Sequence, residues 1–166
     1  MRTDADYVDS IIDVVADYHA QDVLRAKALA YRLRRVAHQL ETGIKRDLAP
    51  HSIELWELEL LACLVRAPQQ RLSAGALMTQ MQLTSGAVTN RITRLEDKGW
   101  VARDFDRADR RSVLVTLTEE GRRRATHVFR TKTDAEIALL GSLSPAEQDR
   151  MNTSLRALLI SLEGQQ

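Results

Sequence analysis

Apolar residues recur every three or four positions along most of this chain, a spacing that places them on one face of a helix. The three prolines and seven glycines fall mostly between the periodic segments. The pattern predicts helices over residues 6–18, 23–46, 52–66, 74–81 and 84–98, and again from 119 onward. We expect Ser52 to be the N-cap of the third helix, and the Ser144–Glu147 capping box to open the last one.

Two short segments depart from the helical period. Residues 100–104 and 113–117 are β-type runs, separated by a charged, turn-prone stretch. A hairpin that follows two short helices joined by a tight turn predicts a mainly α fold with a small antiparallel β-hairpin wing, a winged helix-turn-helix. The expected parts are N-terminal helices (1–50, dimerisation and extension), a winged helix-turn-helix DNA-binding domain (51–120) and C-terminal dimerisation helices (121–166).

Composition excludes several classes of protein. One cysteine, Cys63, cannot form an intramolecular disulfide. No run approaches the roughly 20 apolar residues that span a bilayer, and no signal peptide is evident, so we expect a cytoplasmic protein that does not associate with membranes. The four histidines are scattered, and there is no glycine-rich phosphate loop or catalytic elbow. We therefore expect no metal site, no cofactor, no catalytic residue and no enzymatic activity.

The helix predicted to begin at Thr84 has two different faces. At 100° per residue, Val88, Ile92 and Leu95 point inward. The opposite face suits the major groove, because small residues allow close approach, an asparagine can pair with adenine and an arginine with guanine. An ordinary amphipathic surface helix remains the alternative. The predicted DNA contacts on this helix are Thr84, Ser85, Gly86, Thr89, Asn90, Thr93 and Arg94, with Asn90 and Arg94 as the base readers.

The tip of the predicted hairpin is strongly basic. Three arginines in one turn repel each other unless they meet negative charge or are braced by aspartates. Salt bridges within the hairpin are worth at most about 1 kcal/mol at a surface, which hardly explains three arginines. The narrow minor groove, where the negative potential is strongest, fits better. The predicted contacts of the wing are Arg107, Asp109, Arg110 and Arg111.

These motifs resemble those of the MarR family of bacterial regulators. The resemblance rests on the run from Leu83 to Gly99, on Asp109-Arg110-Arg111, and on Leu117-Thr118 with Gly121. It is specific over residues 72–121. It implies a homodimer on double-stranded DNA with a near-palindromic operator, with the Thr84 helix in the major groove and the wing arginines in the minor groove. It also implies a transcriptional regulator, usually a repressor, that a small ligand releases from DNA.

Within the family, the sequence is most similar to the urate-responsive (PecS-like) subset. This resemblance implies that Glu59, Arg91 and Arg103 surround a small aromatic or carboxylate-bearing organic anion. This chain lacks the tryptophan that the subset uses: its first predicted helix has Val14, Val15 and Tyr18 instead. The alternative is that Glu59, Arg91 and Arg103 form a structural salt-bridge network.

Two other functions remain open at this point. Cys63 allows a redox-responsive regulator of the same fold, although it lies in the apolar stretch 60–65 and we expect a buried thiol without cationic neighbours. A winged-helix module that binds a protein partner is the second, and the basic wing argues against it. We expect Trp56 and Trp100 to be core anchors.

Overall fold

A computed structural model of the chain describes residues 5–105 and 113–164. The helices are α1 (Tyr7–Val15), α2 (Gln21–Leu48), α3 (Leu55–Arg66), α4 (Ala74–Gln80), α5 (Ser85–Asp97), α6 (Glu119–Leu140) and α7 (Pro145–Glu163). The strands are β1 (Arg71–Ser73), β2 (Val101–Phe105) and β3 (Val113–Leu117). The predicted mainly α fold with a small antiparallel sheet is confirmed. The predicted wing contacts Arg107, Asp109, Arg110 and Arg111 lie outside the described residues.

The backbone forms two compact units, with the boundary between Arg46 and Asp47. The second unit contains α3 to α7 and all three strands.

In the first unit, α1 is tied to α2 by charge. The Asp6 carboxylate caps α1, and Arg32 of α2 lies 2.8 Å from Asp6 and 2.5 Å from Asp9. The hydrogen bond from Arg32 is the main cause that holds the pKa of Asp6 below its ordinary value. The guanidinium of Arg35 lies 4.5 Å from the centre of the Tyr7 ring. Polar contacts and the buried Val8 therefore both fix the amino-terminal helix.

In the second unit, α3 forms the centre of the core. It packs against α6 and β3, while α5 packs against α4 and β2. The sheet has the order β1-β3-β2 and is antiparallel throughout, with Leu72 opposite Val115 and Arg103 also opposite Val115 on the other side. β1 was not predicted, because three residues are too few to show an alternating pattern. The largest fully buried apolar side chains of this unit are Leu48, Leu58, Leu60, Leu61, Leu64, Leu77, Ile92, Leu95, Val115 and Val128.

The helix ends show one wrong prediction. Glu54, and not Ser52, is the N-cap of α3, because Ser52 adopts a left-handed backbone conformation at φ 52° and Glu57 accepts the N–H of Glu54 at 3.0 Å. The Ser144 capping box with Pro145 at the first helical position is confirmed. Gly99 follows α5 at φ 69°, the conformation that a glycine adopts without steric cost.

No helix of the described segments combines the length and the apolar character that crossing a membrane requires. The described residues also contain no group of three or more metal-ligating side chains. Most of the large apolar residues of α7 are exposed in the single chain, among them Leu158, Leu159, Ile160 and Leu162.

Candidate DNA interface and neighbouring cavity

Helix α5 has the two faces that its sequence predicts. Val88, Ile92 and Leu95 are buried. The predicted contact residues Thr84, Ser85, Gly86, Thr89, Asn90, Thr93 and Arg94 are all exposed. The Thr84 hydroxyl caps the helix by accepting the N–H of Ala87 at 3.3 Å. Helix α5 therefore presents a polar face to solvent.

Packing does not account for Gly86. A Cβ added at this position meets no other atom within 4 Å, and the residue is exposed within a regular helix. Gly86 lies in the first turn of α5, where a glycine costs up to about 1 kcal/mol relative to alanine. The position is thus open to close approach by another molecule.

The two predicted base readers have different surroundings. The side chain of Asn90 makes no hydrogen bond to any residue that the structure describes. Arg94 is held: its Nη2 donates to Oε1 of Glu54 at 2.8 Å, and its guanidinium lies 4.8 Å from the centre of the Trp56 ring. The sequence did not predict that the N-terminus of α3 anchors a residue of α5.

Glu54 is the centre of this contact. Its Oε2 accepts the indole N–H of Trp56 at 2.6 Å. This hydrogen bond, followed by the one from Arg94, holds the pKa of Glu54 below its ordinary value. Glu54 is therefore ionised at neutral pH and pairs with the positive charge of Arg94.

A cavity of about 590 Å³ lies between α3, the α4–α5 turn, α5 and α6. Glu59 and Arg91 both line it, so the structure brings together two of the three predicted ligand residues. Arg66 and Lys132 add positive charge to the wall, although Lys132 is also paired with Glu136. Arg66 lies seven residues, or two helical turns, after Glu59, so the spacing in the sequence already indicates that both side chains lie on the same face of α3.

Arg103, the third predicted ligand residue, lies elsewhere. Its Nε is 2.8 Å from Oε2 of Glu96, and its Nη2 donates to Thr93 Oγ1 at 2.5 Å. The reason is its place on β2, which packs on α5, where Glu96 and Thr93 lie one helical turn apart. Arg103 therefore does not join Glu59 and Arg91.

The alternative salt-bridge network is not formed either. Within the described part of the chain Glu59 has no ion pair, while Arg91 lies 5.3 Å from the centre of the Trp56 ring. Glu59 is exposed and Arg91 half-buried. This network is absent because each arginine has another partner: Arg91 lies against the Trp56 ring, and Arg103 pairs with Glu96.

Cys63 has a cationic neighbour that we did not expect. It is buried, as predicted, but it lines the cavity, and Nη2 of Arg66 lies 3.7 Å from its Sγ. The two residues are three positions apart on α3 and therefore lie on the same face of the helix. This contact was not predicted from the sequence, where only the apolar residues next to Cys63 were considered.

The two tryptophans also differ. Trp100 is a core residue, as expected. Trp56 is only half-buried and is flanked by Arg91 and Arg94, so the expectation of a core anchor is wrong for it.

A further ion pair was not predicted from the sequence: Lys98, at the end of α5, lies 2.5 Å from the fully buried Glu57.

Comparisons with known proteins agree with the geometry. The model of the MarR family matches residues 53–113. The regulator PecS of Dickeya dadantii is 30% identical over 133 residues, covering 79% of this chain and 77% of PecS. Two solved structures of MarR-fold regulators superpose well. Sco3205 of Streptomyces coelicolor, a MarR family regulator in complex with DNA, has a TM-score of 0.76 and 25% identity over 83% of this chain and 88% of its own. BpsR of Bordetella bronchiseptica, whose DNA binding is regulated by 6-hydroxynicotinic acid, has a TM-score of 0.71 and 25% identity over 78% of this chain and 91% of its own.

The family model covers α3 to the start of β3, which is the winged helix-turn-helix, and the relatives extend the likeness to most of the chain. The chain therefore belongs to the MarR family of winged-helix transcriptional regulators, proteins that bind DNA as dimers and are not enzymes.

Proposed function

We propose that this protein is a ligand-responsive, sequence-specific DNA-binding repressor of the cytoplasm in which α5 reads the major groove. The exposed face of α5 carries this proposal, since its small residues, its unpartnered Asn90 and its Arg94 offer what base edges accept. Thr84 and Ser85 lie at the helix N-terminus, where N–H groups attract phosphate. We further propose that the arginines of the wing, above all Arg111, bind in the minor groove.

The homodimer places two copies of α5 on one duplex. The exposed leucines and Ile160 of α7 support an interface on this helix, because an apolar stripe of this kind is normally covered. A two-fold axis makes the operator near-palindromic, with half-sites about 34 Å apart.

DNA binding is tested by gel shift or anisotropy with a duplex that the wild-type protein selects from a random pool. Asn90→Ala and Arg94→Ala each cost about 1 to 3 kcal/mol on the selected duplex and much less on random DNA. Arg111→Ala weakens binding to both and lowers the salt slope. Equal losses on both duplexes for the α5 variants contradict base reading by this helix.

The ligand in this proposal is a planar aromatic carboxylate that binds in the cavity. Arg66, Arg91 and Lys132 supply cations for the carboxylate, and Glu59 can accept a hydrogen bond from a ring N–H or hydroxyl. A volume of about 590 Å³ is ample for a single- or double-ring compound. The regulation of BpsR by 6-hydroxynicotinic acid supports this class of compound. By linkage, the anion releases DNA only if it binds the free conformation more tightly.

The ligand is tested by adding 6-hydroxynicotinate, benzoate and urate to the protein–DNA complex, with neutral benzamide as the control. An aromatic carboxylate is expected to weaken DNA binding of the wild type, while benzamide leaves it unchanged. If neither 6-hydroxynicotinate nor benzoate has an effect, or if benzamide acts as strongly, the proposed ligand class is wrong; an effect of urate alone, which has no carboxylate, also contradicts it.

One observation favours a second candidate, regulation by thiol oxidation. The guanidinium of Arg66 donates to Cys63 Sγ at 3.7 Å, and a neighbouring cation is a feature of many cysteines that react with peroxides. The burial of Cys63 opposes it. Peroxide that releases the wild type, but not Cys63→Ser, from the selected duplex supports this candidate, and equal release of both excludes it.

A further inference from the structure

Two arginines of α5 share one aromatic ring of α3. The guanidinium carbon of Arg94 lies 4.8 Å, and that of Arg91 5.3 Å, from the centre of the Trp56 ring. Positions 91 and 94 are three residues apart, so both side chains leave the same side of the helix. Trp is the side chain whose face attracts cations most strongly.

The ring itself is held in place. Its indole N–H donates to Oε2 of Glu54 at 2.6 Å, while the other oxygen of the same carboxylate accepts from Arg94 at 2.8 Å. Glu54, Trp56, Arg91 and Arg94 therefore form one connected set of contacts, which we call the Trp56 cluster. Two of its residues lie on α5 and two at the start of α3, and only the tertiary fold brings them together.

The two arginines differ in what else they face. Arg91 is half-buried and lines the cavity together with Glu59. Arg94 is exposed on the face of α5 that we assign to DNA. The Trp56 cluster thus links the cavity, through Arg91, to the candidate base reader Arg94.

Two cations near one ring repel each other, so a shift of one changes the energy of the other. An anion in the cavity attracts the guanidinium of Arg91 away from the ring. We propose that Trp56 is a positioning residue that couples Arg91 to Arg94, and that occupation of the cavity acts on DNA binding through this coupling. The inference rests on the proposed function, in which Arg94 contacts DNA and Arg91 contacts the anion.

The coupling is measured without any ligand, by a mutant cycle on the selected duplex. Dissociation constants are determined for the wild type, Arg91→Gln, Arg94→Gln and the double variant, and the same set is repeated in a Trp56→Leu background. With Trp56 present, the double variant is expected to depart about fivefold from the product of the single effects. In the Trp56→Leu background, which has no ring at this position, it is expected to remain within about twofold of that product. Additive effects in both backgrounds, or equal departures in both, overturn the proposal.

Folding of each variant is checked by circular dichroism and thermal unfolding. If Trp56→Leu does not fold, Trp56→Phe takes its place, because phenylalanine keeps a ring but loses the indole N–H and attracts cations less. The departure from additivity is then expected to fall at least by half, and an undiminished departure counts against the proposal. Trp100→Phe is the matched control, since it makes the same chemical change in the core, and the coupling is expected to stay at the wild-type level.

The cycle separates this inference from the function on which it rests. A wild-type protein that selects no duplex overturns DNA recognition itself. A selected duplex with additive Arg91 and Arg94 overturns only the coupling through Trp56. Aromatic carboxylates without effect on the wild type overturn the ligand class, whatever the cycle shows.

Discussion

The ammonium of Lys98 lies 2.5 Å from Oε1 of Glu57, a carboxylate with no exposed surface. Glu57 also accepts the N–H of Glu54, so this buried charge joins the C-terminal end of α5 to the N-terminus of α3. Lys98 in addition lies 4.6 Å from the centre of the Trp100 ring. A buried carboxylate needs such partners, because desolvation without them is very unfavourable.

Loss of the lysine leaves the buried carboxylate without its cation. Lys98→Met is expected to lower the free energy of unfolding by about 3 kcal/mol, measured by urea denaturation. The matched control is Glu119→Gln, which breaks the exposed pair with Arg122 and is expected to cost less than about 1 kcal/mol. Equal losses in the two variants contradict a structural role for the pair of Lys98 with the buried Glu57.

Gly121 is required by packing at the start of α6. A Cβ at this position collides with the backbone carbonyl of Trp100, which cannot move without disturbing β2. Gly121→Ala is therefore expected to cost at least about 2 kcal/mol of unfolding free energy. A variant with wild-type stability rules out this explanation.

Gly86 presents the opposite case. Apart from its own helix backbone and its chain neighbours, no atom lies within 4 Å of an added Cβ, so Gly86→Ala is expected to raise the unfolding free energy by up to about 1 kcal/mol. If DNA approaches the backbone here, the same variant binds the selected duplex about 1 to 3 kcal/mol more weakly. Calorimetry and anisotropy measure the two effects separately, and unchanged DNA binding contradicts close approach at Gly86.

Arg91 and Arg103 are expected to differ in their effect on the ligand response, because only Arg91 lines the cavity. Arg91→Gln is expected to abolish most of the response of the protein–DNA complex to aromatic carboxylates, because Arg91 lines the cavity. Arg103→Gln is expected to keep the ligand response, since its side chain is paired with Glu96. Competition titrations with the same duplex decide between them, and the reverse result places the ligand away from this cavity.

Acid is expected to weaken the Trp56 cluster. The pKa of Glu54 is depressed, mainly by the Trp56 indole and next by Arg94, from its usual 4.5. A depressed pKa in the folded state means that the contribution of Glu54 to stability is present above pH 4.5 and is lost as the pH falls further. Trp56→Phe removes the indole donor and should move the pKa of Glu54 upward, measured by NMR titration of its carboxyl carbon. No movement contradicts the hydrogen bond as the main cause.

Hydrophobic periodicity and capping signals located most of the helices and the long strands of the wing. They also gave the two faces of α5, because a helix face depends only on the 3.6-residue period. They misplaced the N-cap of α3 and missed β1, whose three residues acquire their conformation from pairing with β3. Local signals are weak where a neighbour in space decides the structure.

The sequence by itself determined the fold, the family and the exposed face that we assign to DNA, since each depends on residues close together in the chain. Only the tertiary structure decided the partners of the charged side chains. Glu54 and Arg94 are 40 positions apart, and Glu57 and Lys98 are 41 apart. Such contacts depend on how α3 packs beside α5, and no local pattern encodes that distance. For the same reason Arg91 lines a cavity with Glu59, whereas Arg103 pairs with Glu96.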